Sequence, residues 1–186
     1  MSWQTVRLEE VSPTRWRNGA GSTRELAAWP TTGDWIWRMS VAEVASNGPF
    51  SHFEAVQRWF AVLAGAGVRL TIGASVHELS GASAPLCFDG AVAVDCELLD
   101  GPTQDFNLML RRPQASARMK RISGVSAFVL DASRTVAVYA IDSGCQIVFE
   151  GDRLALAPHS LAWQDLKSGA VVEVQTDGAL WMEIQR

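Results

Sequence analysis

The sequence predicts an all-β, antiparallel protein built as two sandwich-like or barrel-like halves. Three observations carry this. Short segments of β-branched and aromatic residues recur, bounded by Gly, Pro, Asn, Asp or Ser. Apolar residues almost never recur at the helical period. One strand–glycine–strand design occurs twice, in Phe60-Ala61-Val62-Leu63-Ala64-Gly65-Ala66-Gly67-Val68-Arg69-Leu70 and from Thr135-Val136-Ala137-Val138-Tyr139 through Gly144 to Cys145-Gln146-Ile147-Val148.

The predicted strands, in order, are 3–8, 24–29, 35–44, 58–63, 68–72, 92–99, 105–110, 117–122, 127–130, 135–141, 146–149, 153–157, 160–164, 171–175 and 180–184. A helical turn is expected only near 51–55. The chain of 186 residues suits one compact unit with approximate halves 1–90 and 91–186, strands being exchanged between them.

Composition removes several function classes. A hydrophobic fraction of 48% with 19% charged residues excludes disorder. The net charge is −4, and the densest basic stretch (Arg111, Arg112, Arg118, Lys120, Arg121) reads as a solvated loop and strand edge, so no nucleic-acid partner is expected. No apolar run approaches the ~20 residues of a membrane helix, and Met1-Ser2-Trp3-Gln4-Thr5-Val6 lacks the pattern of an export signal. A cytoplasmic protein without a membrane partner is expected. Cys87, Cys96 and Cys145 form no C-x-x-C pair and read as buried free thiols. His52, His77 and His159 have no ligand spacing, so neither a metal nor another cofactor is expected.

Polar residues intrude on the strand pattern at a few places. Trp16-Arg17-Asn18-Gly19-Ala20-Gly21-Ser22-Thr23-Arg24-Glu25 is a glycine-hinged loop rich in donors and acceptors. It either builds a turn or holds a small polar ligand. In Trp35-Ile36-Trp37-Arg38-Met39-Ser40-Val41, alternation puts Trp35, Trp37, Met39 and Val41 on one face and Ile36, Arg38 and Ser40 on the other. Arg58 shares a face with Val56, Phe60 and Val62. Burial there requires a partner, either a carboxylate on a neighbouring strand or an anionic ligand gripped by the guanidinium fork. Asp105 and Asn107 point the same way between Phe106 and Leu108, as turn chemistry or as pocket polarity. Asn47-Gly48-Pro49-Phe50-Ser51-His52-Phe53 is a turn whose two phenylalanines could anchor a loop over a barrel mouth. No nucleophile elbow or phosphate loop is present.

Trp16 to Glu25, Trp37-Arg38-Met39-Ser40-Val41-Ala42, Gly48-Pro49-Phe50-Ser51-His52-Phe53, Arg58 and Asp105-Phe106-Asn107-Leu108-Met109 follow one another in an order that resembles the HutD/Ves family of bacterial proteins. The likeness runs from Trp16 to about Arg112, with a less distinctive C-terminal third. It implies a bicupin, two cupin-type barrels in one chain without the cupin metal ligands. It implies a factor that restrains or tunes histidine utilisation and binds a pathway intermediate, urocanate or formylglutamate; a non-enzymatic, metal-free binding protein for a small carboxylate, acting in regulation, is the leading expectation. The Ves branch implies instead a stress-responsive protein. By matched motif position the resemblance puts the ligand pocket at Asn18, Thr23, Arg38, Ser40, Ser51, Phe53, Arg58, Asp105 and Asn107, with Arg58 as the guanidinium that meets a carboxylate. Arg38 is the second candidate for that contact. Phe53 or Trp37 would cover the apolar part of the ligand, and Asp105 and Asn107 would orient the arginines or bind directly. Trp59 departs from the pattern, and either narrows the pocket or packs outside it. A metal-independent isomerase or epimerase drawing on Asp105, Glu25 or His52 is the alternative, and a protein-interaction module a third; a homodimer stays open.

Overall fold

The computed structural model describes residues 2–186. Its regular structure is nearly all strand: β1 (Gln4–Arg7), β2 (Thr14–Arg15), β3 (Gly21–Trp29), β4 (Trp37–Val44), β5 (Gly48–Pro49), β6 (Val56–Ala64), β7 (Val68–Ile72), β8 (Ser75–Leu79), β9 (Leu86–Asp89), β10 (Val94–Leu98), β11 (Thr103–Arg111), β12 (Ser116–Val129), β13 (Arg134–Ala140), β14 (Cys145–Phe149), β15 (Asp152–Leu156), β16 (Ser160–Leu166) and β17 (Val171–Gln185). Every pairing whose register is resolved is antiparallel. Among the described residues no helix is long and apolar enough to cross a membrane. Among the described residues the one 3-10 turn is Leu8–Glu10, whereas residues 51–55, expected to turn helically, form an irregular loop.

Two compact units are present. Val11–Ser116 contains one sheet in the order β2-β3-β4-β11-β6-β9 and another in the order β5-β10-β7-β8. Its core gathers Val44, Phe60, Val62, Val68, Leu70, Leu79, Phe88, Val94 and Cys96. The second unit joins residues 2–10 to Ala117–Arg186 around a sheet in the order β1-β16-β13-β17-β14-β15, with β12 also on β17. The division falls after Ser116, later than the midpoint read from the sequence. The first strand belongs with the last third of the chain, because Gln4 to Arg7 pair with Trp163 to Ser160. The interior of this second unit is packed by aliphatic side chains and Trp181, against which Phe128 stacks at 3.8 Å.

Most predicted strands are present, and the exceptions have local causes. Ser75–Leu79 and Leu86–Asp89 are strands outside the predicted set, since Ser-Val-His-Glu-Leu and Leu-Cys-Phe-Asp expose one face and look like loop by composition. Predicted strands 117–122 and 127–130 merge into the 14-residue β12, and 171–175 and 180–184 merge into the 15-residue β17. Ser123-Gly124 and Asp177-Gly178 carry turn composition; Gly124 takes a φ of +72°, and at Asp177-Gly178 the partner of β17 changes from β14, paired up to Thr176, to β13, paired from Ala179.

Candidate functional site

The period of two along each strand builds the site. On β11, Asp105, Asn107 and Met109 share a face. Across one edge of that strand they meet Ala42, Ser40 and Arg38 of β4, and across the other Val62, Phe60 and Arg58 of β6. Farther along the sheet, Thr23 and Glu25 of β3 lie beside Ala42 and Ser40. All of these side chains but Asp105 and Val62 form one wall of a cavity of about 570 Å³, closed further by residues of the 16–21 turn and by Phe50, Ser51 and Phe53. The cavity lies wholly within the Val11–Ser116 unit.

Arg58 is its deepest cation, only 6% exposed. Its Nη2 donates to Oδ1 of Asn107 at 3.0 Å, while its Nε has no partner. The guanidinium carbon lies 5.1 Å from the ring centre of Phe88, 5.2 Å from Phe50 and 5.7 Å from Phe53. No carboxylate pairs with it among the described residues. The neighbouring-strand carboxylate that would have explained a buried arginine is therefore missing. Burial, and then the positive charge of Arg38, bring the pKa of Arg58 down to about 10. A buried guanidinium with one hydrogen bond has spare donors, and aromatic rings compensate it only in part.

Arg38 is better matched. Its Nη1 stands 3.7 Å from a carboxylate oxygen of Glu25, its Nη2 contacts Sδ of Met109 at 3.5 Å, and its guanidinium lies 5.6 Å from the Trp35 ring. Burial lowers its pKa and Glu25 opposes the shift. Its Nε is also buried without a partner.

The loop at 16–21 forms a true turn. The Trp16 N–H donates to the Gly21 carbonyl and the Gly19 N–H to the Trp16 carbonyl, with Gly19 at φ +72°. Asn18 Oδ1 accepts the Ala20 N–H at 3.0 Å, and Thr23 Oγ1 accepts the Trp16 indole N–H at 2.8 Å. Both side chains thus serve the turn and still border the cavity. Gly21 is required for a separate reason: a Cβ there would lie 2.1 Å from the Glu43 carbonyl oxygen.

All the predicted pocket residues line the cavity except Asp105. Asp105 is fully buried one row deeper, beyond Asn107, between Ala42 and Val62. Its Oδ2 accepts the Thr103 hydroxyl at 2.8 Å and its Oδ1 has no partner. Burial, opposed by that hydroxyl, pushes its pKa up to about 7. Trp37 and Trp59 are not cavity walls, because each alternates with the arginine next to it and faces the other side of the sheet. Phe50 and Phe60, together with Phe53, provide the apolar cover. Phe60 and Met109 follow from Arg58 and Asn107 by the period of two. Thr14 and Arg15 had no such signal, since a two-residue edge strand leaves no periodic trace.

No three His, Cys, Asp or Glu side chains gather as metal ligands among the described residues, and Glu25 is the one acidic residue in the lining. All three cysteines are free; Cys96 and Cys145 are buried as expected, but Cys87 is exposed on β9.

The sequence matches the HutD family model over residues 8–182. The chain belongs to the HutD family. Protein Ves of Citrobacter koseri is 36% identical over 163 residues, covering 86% of this chain and 82% of the relative. The structure of HutD from Pseudomonas fluorescens SBW25, described as a formate condition, superposes with a TM-score of 0.86 at 30% identity, covering 99% and 98% of the two chains. A conserved protein of unknown function, PA5104 of Pseudomonas aeruginosa PAO1, superposes with a TM-score of 0.90 at 28% identity and full coverage of both chains. At 8% identity and a TM-score of 0.66, an oxalate decarboxylase of Lactobacillus farciminis shares with this HutD-family chain the cupin-like fold alone, over 97% of this chain and 85% of that one.

Proposed function

We propose that this protein binds a small carboxylate without a metal and acts as a regulatory factor, tuning histidine utilisation by sensing an intermediate such as urocanate or formylglutamate. The observation that carries the reading is Arg58: a guanidinium 6% exposed at the floor of a cavity, with no carboxylate partner and with Nε unbonded. Such a charge is stabilised best by an incoming anion held by the planar fork. Phe50 and Phe53 would exclude water around that contact, and Thr23, Ser40 and Ser51 would supply hydrogen bonds to the remainder of the ligand. Membership of the HutD family supports the link to histidine utilisation, and a cytoplasmic location accords with it. We read the two β units as the paired cupin-type barrels of a bicupin.

The reading is of a binding protein and not an enzyme. General acid–base chemistry needs two titratable groups facing one cavity; Glu25 lines it, but Asp105 is sealed beneath the wall and His52 is absent from the lining. A role in stress response, of the Ves type, is the second reading, favoured by the 36% identity to Protein Ves.

Thermal unfolding with urocanate, formylglutamate, histidine or formate is the test. A ligand at 100 times its Kd stabilises by about 2.7 kcal/mol, and each kcal/mol raises Tm by roughly 2–4 °C at this chain length. Absence of any shift would remove the sensing role. An Arg58→Ala protein that bound as tightly as the parent would remove Arg58 from the site.

A further inference from the structure

Arg38 and Arg58 enter the cavity from opposite sides of one strand. Both lie across from Met109 of β11, Arg38 on β4 and Arg58 on β6. Two strand spacings of about 4.8 Å set their backbones ~10 Å apart, and both side chains lean over β11 to narrow that gap. Nη2 of Arg38 contacts Sδ of Met109, and Nη2 of Arg58 donates to Oδ1 of Asn107. Burial comes first among the causes that lower the pKa of Arg58 and the positive charge of Arg38 second, as expected of guanidiniums that converge. Two like charges facing one strand, with only a thioether in the row between them, are stabilised best by one anionic group that both can reach.

Glu25 already offers Arg38 a carboxylate, but a poorly placed one. Its oxygen stands 3.7 Å from Nη1, outside hydrogen-bond range, and its side chain is 54% exposed. The backbone explains the loose fit. Between Glu25 and Ala27 the register of β3 against β4 shifts, so that Glu25 lies opposite Ser40 and Ala28 opposite Arg38. The residue directly across from the arginine therefore brings only a methyl group, and Glu25 reaches it diagonally. Nε of Arg38 stays buried without a partner. An ion pair of this geometry, with one partner open to water, adds little stability and parts easily. We propose that Glu25 is a tethered competitor for the anion of this cavity: it holds Arg38 until a ligand carboxylate seated between Arg38 and Arg58 takes its place. The proposal rests on the carboxylate-binding reading above and adds the residue that regulates it. At Arg38 one ion pair replaces another, while Arg58 gains the carboxylate it lacks. The displaced Glu25 turns into water, where its charge is already half solvated. Glu25 thus sets the concentration at which the site fills.

Calorimetric titration of the full chain with formate, acetate and benzoate tests this on the parent and on Glu25→Gln, Glu25→Asp and Arg38→Gln. Glutamine removes the competing charge, whereas aspartate keeps the charge on a side chain one methylene too short to reach Arg38. Both Glu25 variants should bind about three- to five-fold more tightly than the parent, the range set by parting an exposed ion pair. Arg38→Gln should bind more weakly. A gain in Glu25→Gln with none in Glu25→Asp would overturn the proposal, since Glu25 would then act through its field and not by holding Arg38. Weaker binding by Glu25→Gln would overturn it as well, marking a residue that aims Arg38 at the ligand. Parental affinity in Arg38→Gln would take Arg38 out of the grip and the competitor with it, while the carboxylate site at Arg58 would stand. Failure of all three probes to bind the parent and every variant would bring down both readings.

Discussion

Replacing Asp105 with asparagine isolates the one carboxyl that the sheet buries completely. Asp105 is 0% exposed, receives the Thr103 hydroxyl on Oδ2 and leaves Oδ1 without a partner. Burial pushes its pKa from 3.8 up to about 7. The folded state therefore keeps a proton that the unfolded chain has already released. Stability from this group is complete below pH 4, drains away as the pH climbs to 7, and is lost above it. A gap of about three pKa units corresponds to about 4 kcal/mol in total, at 1.36 kcal/mol per unit. Integrated from pH 5 to pH 8, about 3 kcal/mol of that disappears. Asparagine does not titrate and loses none of it. The Asp105→Asn protein should therefore gain about 3 kcal/mol on the parent chain between pH 5 and pH 8, whatever their difference at pH 5. Urea unfolding followed by tryptophan fluorescence measures both profiles, and subtraction cancels every other titrating group. The nearby Cys96 thiol, pushed up to about 12, stays neutral throughout. Profiles that run parallel within about 0.5 kcal/mol, below the effect by several-fold, would refute the assignment of a neutral, desolvated Asp105.

Three further expectations follow from the same geometry. Thr103→Val removes the hydroxyl that favours the ionised carboxyl, so Asp105 should hold its proton to still higher pH; the same urea series should show the loss of stability ending later. Gly21→Ala drives a methyl against the Glu43 carbonyl, which belongs to the backbone of β4 and cannot rotate away. That overpacking should lower stability by about 2 kcal/mol or more, read by calorimetry as a fall in Tm of at least about 4 °C. Trp59→Leu alters the face of β6 opposite Arg58 and should leave carboxylate affinity unchanged in calorimetric titration; a marked loss would mean that Trp59 shapes the cavity.

The site was legible wherever alternation along one strand was enough. Arg38 and Ser40 sit on one face of β4, and Arg58 and Phe60 on one face of β6, as the period of two requires. Asn107 shows what the period cannot supply. Its orientation was readable, but its bond to Arg58 depends on β11 lying directly between β4 and β6, a neighbourhood set by sheet order across a sequence separation of 49. Asp105 obeys the same alternation and still misses the cavity, because depth along a strand is invisible to periodicity. β17 makes a similar point for the fold: Asp177-Gly178 marks a turn by composition, yet the strand runs on because its partner changes there from β14 to β13.

By itself the sequence determined the all-β class, the facing of the pocket side chains and the need for an unusual partner at Arg58. Those properties depend on side-chain alternation and on the cost of burying charge, both of which act locally. Tertiary structure decided which residues meet. It placed the first strand with the last third of the chain, denied Arg58 a carboxylate and buried Asp105 beneath the wall. Those outcomes depend on hydrogen-bonded neighbours distant in the chain, whose order no local pattern encodes.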